Sequence, residues 1–192
     1  VIGVDIQPEL IKHIRSKVDN KDCFAELIAG DSMDKATFSS IAEFLNKKKK
    51  KNVQLAILHP PYADILKFSN HEKDLSNSKS LEDFLSKFSL VVSNTVTLLE
   101  KGRYLAIVIG DKYTQGKWIP LGFYCLSEAQ KLGLTLKSII IKNMEGNRAK
   151  QDKEAIWKYR ALSSDYYIFK HEYILIFNVA PMDLFQENIK NK

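Results

Sequence analysis

Strand-like and helix-like signals alternate from one end of the chain to the other, which predicts an α/β protein. Its core is a mostly parallel sheet with helices on both faces. Three observations carry this reading. Short apolar runs of strand length recur, amphipathic stretches separate them, and polar residues with chemistry to offer fall just after the runs. In sheets of this kind ligands bind beyond the carboxyl ends of the strands. At 192 residues and 22.0 kDa the chain has the size of one domain, or of one domain with a modest insertion.

The elements follow in order. Val1–Asp5 is a short apolar strand pattern. Pro8 suits a first helical position, and Leu10, Ile11, Ile14 and Val18 recur at helical spacing after it. Phe24–Ala29 is a second strand, closed by Gly30-Asp31-Ser32, and Asp34–Leu45 is a helix with Phe38, Ile41, Ala42 and Leu45 on one face. Lys47–Lys51 is an unbroken lysine run, read as a solvated connection rather than a contact with a polyanion. Gln54–Leu58 is a third strand, ending at His59-Pro60-Pro61-Tyr62, and a polar loop spans Asn70–Ser80. Leu81–Leu99 is a long amphipathic helix, stopped at Lys101-Gly102. Tyr104–Ile109 is a strand, Pro120–Lys131 a helix, Leu134–Lys142 and Tyr173–Phe177 the last strands. Asn143–Asp165 is a basic, aromatic insert, and residues 181–192 form a peripheral tail.

Composition narrows the class. Hydrophobic residues at 45% and charged residues at 27% exclude a disordered chain, a collagen-like fibre and a disulfide scaffold. Two cysteines, Cys23 and Cys125, are too few for a disulfide framework and suggest a reducing, cytoplasmic setting. No run reaches about 18 consecutive apolar residues, so no membrane span is expected. Asp5, Gln7 and Glu9 break any signal-peptide pattern. A formal charge of +6 and a pI of about 9.1 suit a polyanionic partner, nucleic acid first, although a lysine-rich surface would give the same balance. The opening Val1-Ile2-Gly3-Val4-Asp5 has no Met and begins inside an apolar run, which leads us to expect sequence upstream.

Four groups of interest fall just after strands, namely Asp5, Asp31, His59–Tyr62 and Gly110-Asp111, and the first three have a chemistry to suggest. Asp5 stands where an acid can accept hydrogen bonds from ribose hydroxyls. Asp31 could bond an adenine amino group, or simply cap or turn the chain into the next helix. His59-Pro60-Pro61-Tyr62 is more distinctive. Two prolines end the strand rigidly and remove two N–H donors, leaving carbonyls, a polar side chain before them and an aromatic ring after them. That set suits a planar group bearing an NH2, and it also suits a purely structural turn.

Taken in its place in the chain, this turn resembles the Asp/Asn/Ser-Pro-Pro-Tyr signature of the S-adenosylmethionine-dependent amino-methyltransferases of DNA. Val1–Asp5 is similar to that family's second strand with its ribose-binding acid, and Gly30-Asp31-Ser32 to its adenine-contacting turn. Leu98–Tyr104 is similar to its helix-to-strand entry, and Lys170–Phe177 to the late strand whose preceding aromatic helps hold the base. The resemblance covers roughly residues 1–178. It implies a Rossmann-like methyltransferase fold with a late antiparallel strand, a catalytic domain over residues 1–180, and S-adenosylmethionine as cofactor. It also implies cofactor contacts from Asp5, Ile6, Asp31, Ser32 and His59, and a catalytic turn of His59, Pro60, Pro61 and Tyr62. Substrate contacts would come from Tyr62 and Phe169, with Arg148, Lys150 and Trp157 of the insert on the DNA, a role a solvated loop would mimic.

Two departures stand out. The first motif position holds His59 where the family has Asp, Asn or Ser, and the family's glycine-rich loop, expected just before Val1, is absent. The implied reaction is methyl transfer to cytosine N4 or adenine N6 of a base flipped out of duplex DNA, in a modification enzyme that works beside a cognate restriction endonuclease or alone. An RNA or protein-amide methyltransferase, or a non-catalytic nucleic-acid-binding subunit with this fold, are the alternatives. A dinucleotide oxidoreductase explains Asp5 but leaves His59–Tyr62 without a task.

Overall fold

The structure is a computed structural model that describes residues 1–18, 24–63, 67–114, 116–144, 159, 162–163 and 170–179. The chain runs β1 (Ile2–Asp5), α1 (Pro8–Arg15), β2 (Glu26–Ala29), α2 (Lys35–Lys47), β3 (Val53–Leu58), α3 (Leu81–Leu98), β4 (Leu99–Ile109), β5 (Lys112–Thr114), β6 (Lys117–Ile119), α4 (Leu121–Lys131), β7 (Leu134–Asn143) and β8 (His171–Val179). Strands β1 and β2 pair in parallel, and so do β3 and β4. β8 then inserts antiparallel between β4 and β7, giving the order β3-β4-β8-β7. The parallel strands with a late antiparallel one are therefore present.

Local chemistry explains the helices. Pro8 opens α1, where its missing N–H costs nothing. The Asp34 carboxylate accepts from the Ala36 N–H and caps α2, so the cap is Asp34 and not Asp31. Ser80 caps α3 by accepting from the Asp83 N–H. At the other end of α3 the expected glycine stop is not what the structure shows. The helix ends at Leu98 and passes directly into β4, while Gly102, at φ 76°, lies inside that strand. There the register between β3 and β4 shifts, Val53 facing Leu99 but Leu55 facing Tyr104. The left-handed glycine serves a bulge, not a helix stop.

Helices α3 and α4 cover one face of the four-stranded sheet. Phe84, Phe88 and Val92 of α3 and Leu121, Cys125 and Ala129 of α4 meet Leu105, Ile107, Ile109, Leu175 and Phe177, all buried. The Cys125 thiol is unpaired in this core, and burial pushes its pKa well up. The strand register places Leu55, Ile57, Tyr104 and Ile140 on the opposite face, where all four are exposed. A second cluster, Ile41, Leu45 and Leu98 with Ile2, Val4, Ile28 and Val53, joins β1 and β2 to α2, α3 and the start of β3. No helix of the described residues is long and apolar enough to cross a membrane.

The polar loop before α3 is built on Asp74. Its carboxylate accepts from Ser69 Oγ at 2.6 Å, from the Ser76 N–H at 2.8 Å and from Ser76 Oγ at 2.7 Å. Burial alone would raise the Asp74 pKa, but these donors, with His71 nearby, outweigh it and hold the carboxyl low. The loop is thus pinned beside the ends of β1 and β3.

Two stability predictions follow from this packing. Gly122→Ala places a Cβ 2.4 Å from Tyr173 Cδ2, so it should destabilise by about 1–3 kcal/mol despite the helix preference for Ala. A higher urea midpoint for the variant contradicts the overlap. Asp74→Ala should cost about 1–2 kcal/mol at neutral pH. Because the folded pKa is lowered, that contribution is full above the unfolded value of about 3.9 and fades as pH falls toward the folded one. Wild type and variant should therefore converge in stability in acid, as urea unfolding at several pH values would show.

Candidate functional site

The carboxyl ends of β1, β2 and β3 open into one cavity of about 580 Å3. Asp5, Ile6, Asp31, Ser32, His59, Pro60, Pro61 and Tyr62 all line it, so residues far apart in the chain share one cavity. The remaining predicted site residues, Arg148, Lys150, Trp157 and Phe169, lie outside the described residues, as does most of the insert.

On the β1–β2 side, each carboxylate gives one oxygen to a backbone N–H. Asp5 Oδ1 accepts from the Gln7 N–H at 2.8 Å, and Asp31 Oδ1 accepts from the Met33 N–H at 2.8 Å. Asp31 is therefore a turn residue whose Oδ2 remains turned to Lys73, with Nζ 3.6 Å away. Asn94, in the last third of α3, donates to the Ser32 and Met33 carbonyls at 3.2 and 2.9 Å, fixing the turn.

On the other side stands the motif. His59 is exposed at the mouth, Pro60, Pro61 and Tyr62 are half-buried, and buried Ala63 turns the chain sharply with φ 51°. The Tyr62 ring lies so close to Gly110, at the end of β4, that a Cβ there would sit 2.8 Å from Cε2. Its hydroxyl donates to Glu172 Oε1 at 2.5 Å, and Lys142 Nζ holds the other oxygen, Oε2, at 2.7 Å. His59 Nε2 is 3.5 Å from the Tyr62 oxygen. Burial, then the Glu172 hydrogen bond and charge, push the Tyr62 pKa far up. Burial opposes ionisation of Glu172 too, but Lys142, the Tyr62 hydroxyl and nearby His59 prevail and hold it below the usual carboxylate range.

Next to this group, buried Asp111 accepts from Trp118 Nε1 at 3.1 Å, Tyr173 OH at 3.0 Å and the Gly122 N–H at 3.1 Å. Burial first, and then Asp111, raise the Tyr173 pKa to about 12. The network joins the β5–β6 hairpin and α4 to β8, and it supports the wall rather than lining it. Among the described residues no cluster of His, Cys, Asp and Glu could hold a metal.

Sequence reasoning missed Glu172, Lys142, Lys73 and Asp74 as parts of the site. Glu172 had one visible signal, an acid interrupting an apolar strand pattern that begins at its neighbour. The partnerships of the other three depend on distant segments that the fold brings together.

The comparisons with known proteins fit this geometry. No curated protein matches the sequence. Among solved structures, TTHA0409 of Thermus thermophilus, assigned there as a DNA modification methylase, shares 22% identity at a TM-score of 0.51, over 79% of this chain and 51% of that one. The same protein complexed with S-adenosyl-L-methionine aligns at 21% identity and a TM-score of 0.51, over 79% of this chain and 54% of that one. A SAM-dependent methyltransferase of Methanosarcina mazei aligns at 9% identity and a TM-score of 0.51, covering 94% of this chain and 82% of that one. These likenesses show the fold, a Rossmann-like methyltransferase fold, and this chain spans about half the length of TTHA0409. The N6/N4 methyltransferase model, described as DNA methylase, matches residues 53–191, from the start of β3 through the motif turn and beyond β8, and the chain belongs to that DNA methylase family.

Proposed function

We propose that this chain carries the active site of a DNA methyltransferase that uses S-adenosylmethionine to methylate an exocyclic base amine, cytosine N4 or adenine N6. The observation that carries the reading is the shared cavity. Two strand-end carboxylates and a Pro-Pro-Tyr turn face one another across a space whose volume, about 580 Å3, suits a ligand of nucleoside size.

The residues present fit that cofactor. Asp5 has Oδ2 left over after its bond to Gln7, an acceptor for ribose hydroxyls, and Ile6 lines the cavity beside it. Asp31 and Ser32 stand where an adenine ring would meet acceptors. When bound, S-adenosylmethionine supplies an electrophilic methyl group on its sulfonium.

The rest of the mechanism belongs to the chain's own groups. A base amine is a poor nucleophile because its lone pair is delocalised into the ring. Accepting both N–H bonds, at the His59 imidazole and the Pro60 carbonyl, favours a pyramidal nitrogen and returns the lone pair to it. Neither Pro60 nor Pro61 carries an N–H, so the turn's backbone offers no donor at these two positions. Tyr62, braced by Gly110 and Glu172, offers a fixed ring for the base to stack on, with Phe169 as a second face. A duplex hides the amine, so the base is flipped out, at a cost of a few kcal/mol. The net charge of +6 suits a polyanionic substrate, which the basic insert with Arg148, Lys150 and Trp157 would contact. A cognate restriction endonuclease is the partner this activity would have in a modification system.

Incubation with labelled S-adenosylmethionine and unmethylated duplex DNA, followed by digestion to nucleosides, tests the proposal. Label is expected on N4-methylcytosine or N6-methyladenine, and cofactor binding with no labelled nucleoside would sink it. His59→Ala should slow transfer on the order of 100-fold. His59→Asn keeps a side-chain acceptor at this position, so it should transfer methyl at a rate nearer the wild type than His59→Ala does. Equal slowing by the two substitutions argues against His59 in this role.

A further inference from the structure

Neutral imidazole carries one proton, so only one of its nitrogens can accept, and the partner of the other nitrogen selects which. We propose that the hydrogen-bond chain Lys142–Glu172–Tyr62 holds His59 as the tautomer protonated at Nε2, leaving Nδ1 as the atom that accepts from the target amine. The inference rests on the amine-acceptor role given to His59 above and names the atom and the residues that prepare it.

The polarity of the chain follows from donor and acceptor counts. Lys142 Nζ has protons to give and no lone pair, and it gives one to Glu172 Oε2 at 2.7 Å. An ionised Glu172 can only accept, so the single Tyr62 proton is committed to Oε1 at 2.5 Å. Burial and the neighbouring carboxylate keep that phenol un-ionised. What Tyr62 then presents to His59 is lone pairs alone. With Nε2 at 3.5 Å, a proton on Nε2 is attracted to that oxygen, while a lone pair there would face another lone pair. The position of Nδ1 agrees with this assignment. It is bonded directly to Cγ, as Oδ1 is in Asn or Asp, two of the three residues that the resemblance places at this motif position.

Glu172 and Lys142 are thus positioning residues, drawn from β8 and β7, that act on a side chain at the end of β3. This also accounts for an otherwise costly feature, a carboxylate only 8% exposed at the start of an apolar strand.

The test reads the tautomer directly. Long-range proton–nitrogen correlation spectra of the 15N-labelled chain at neutral pH resolve both ring nitrogens of each of the 4 histidines, and His59→Asn identifies the His59 set. The expected pattern is Nε2–H for His59 in the wild type, with Nδ1–H appearing in Glu172→Gln, where the amide oxygen stays with Lys142, the amide NH2 faces Tyr62 and the phenol proton turns to Nε2. Nδ1–H in the wild type, or a pattern unchanged by that variant, overturns the proposal. A second arm separates tautomer control from simple support of the ring. Glu172→Gln should slow methyl transfer on the order of tenfold when residue 59 is His, and less than about twofold in the His59→Asn background, where Oδ1 needs no tautomer. Equal slowing in both backgrounds overturns the proposal. Loss of transfer in every form, wild type included, defeats the methyltransferase reading instead, and the spectra, which need no DNA, still decide the tautomer.

Discussion

The close approach of Tyr62 to Gly110 sets the geometry on which the site depends. An aromatic ring at the exit of β3 occupies the space a side chain at the exit of β4 would need, and its hydroxyl is anchored at the entrance of β8. Three strand ends are therefore fixed to one another by a single residue. The prolines before it line the cavity and remove two backbone donors from it. Gly110 is permitted there for the space it leaves, without any unusual backbone angle, unlike Gly102 in its bulge.

The cavity joins two kinds of support. Its Asp5 and Asp31 side is held by a two-stranded ladder, by Asx-type turns and by Asn94 reaching up from α3. Its His59 and Tyr62 side is held by a four-stranded sheet whose core is dense with Phe84, Phe88, Ile107, Ile109 and Phe177. The loop organised by Asp74 bridges them, because Lys73 beside it reaches Asp31. Buried charges are tolerated at Asp74, Asp111 and Glu172 because each carboxylate has at least two donors.

Much of this was legible in the sequence, for physical reasons that also mark the limit. Helix periodicity in α2 and α3 and apolar runs in β3, β4, β7 and β8 report burial on one face, so those elements were found with ends close to those observed, except that β4 begins at Leu99, five residues before the expected Tyr104, where the polar stretch Glu100–Arg103 hides the strand. The convergence of Asp5, Asp31 and His59–Tyr62 followed from the rule that parallel strands end on one side. The β5–β6 hairpin was not found, since its short strands include charged Lys112 and Lys117 and carry no clear alternation. Gly102 was assigned to a helix stop because it gives the same local signal in a bulge. Glu172 joins Tyr62 across 110 positions, and no local pattern encodes such a pairing.

The side-chain joints between the two strand ladders have a consequence for a ligand. Among the described residues the Ile41–Leu45–Leu98 cluster, the Asn94 bonds and the Asp74 loop connect β1–β2 to β3–β4. Asp5 and Asp31 stand at the ends of one ladder, and His59 and Tyr62 follow a strand of the other, so a ligand that touches both is a further tie between them. By mass action such a ligand stabilises the folded form.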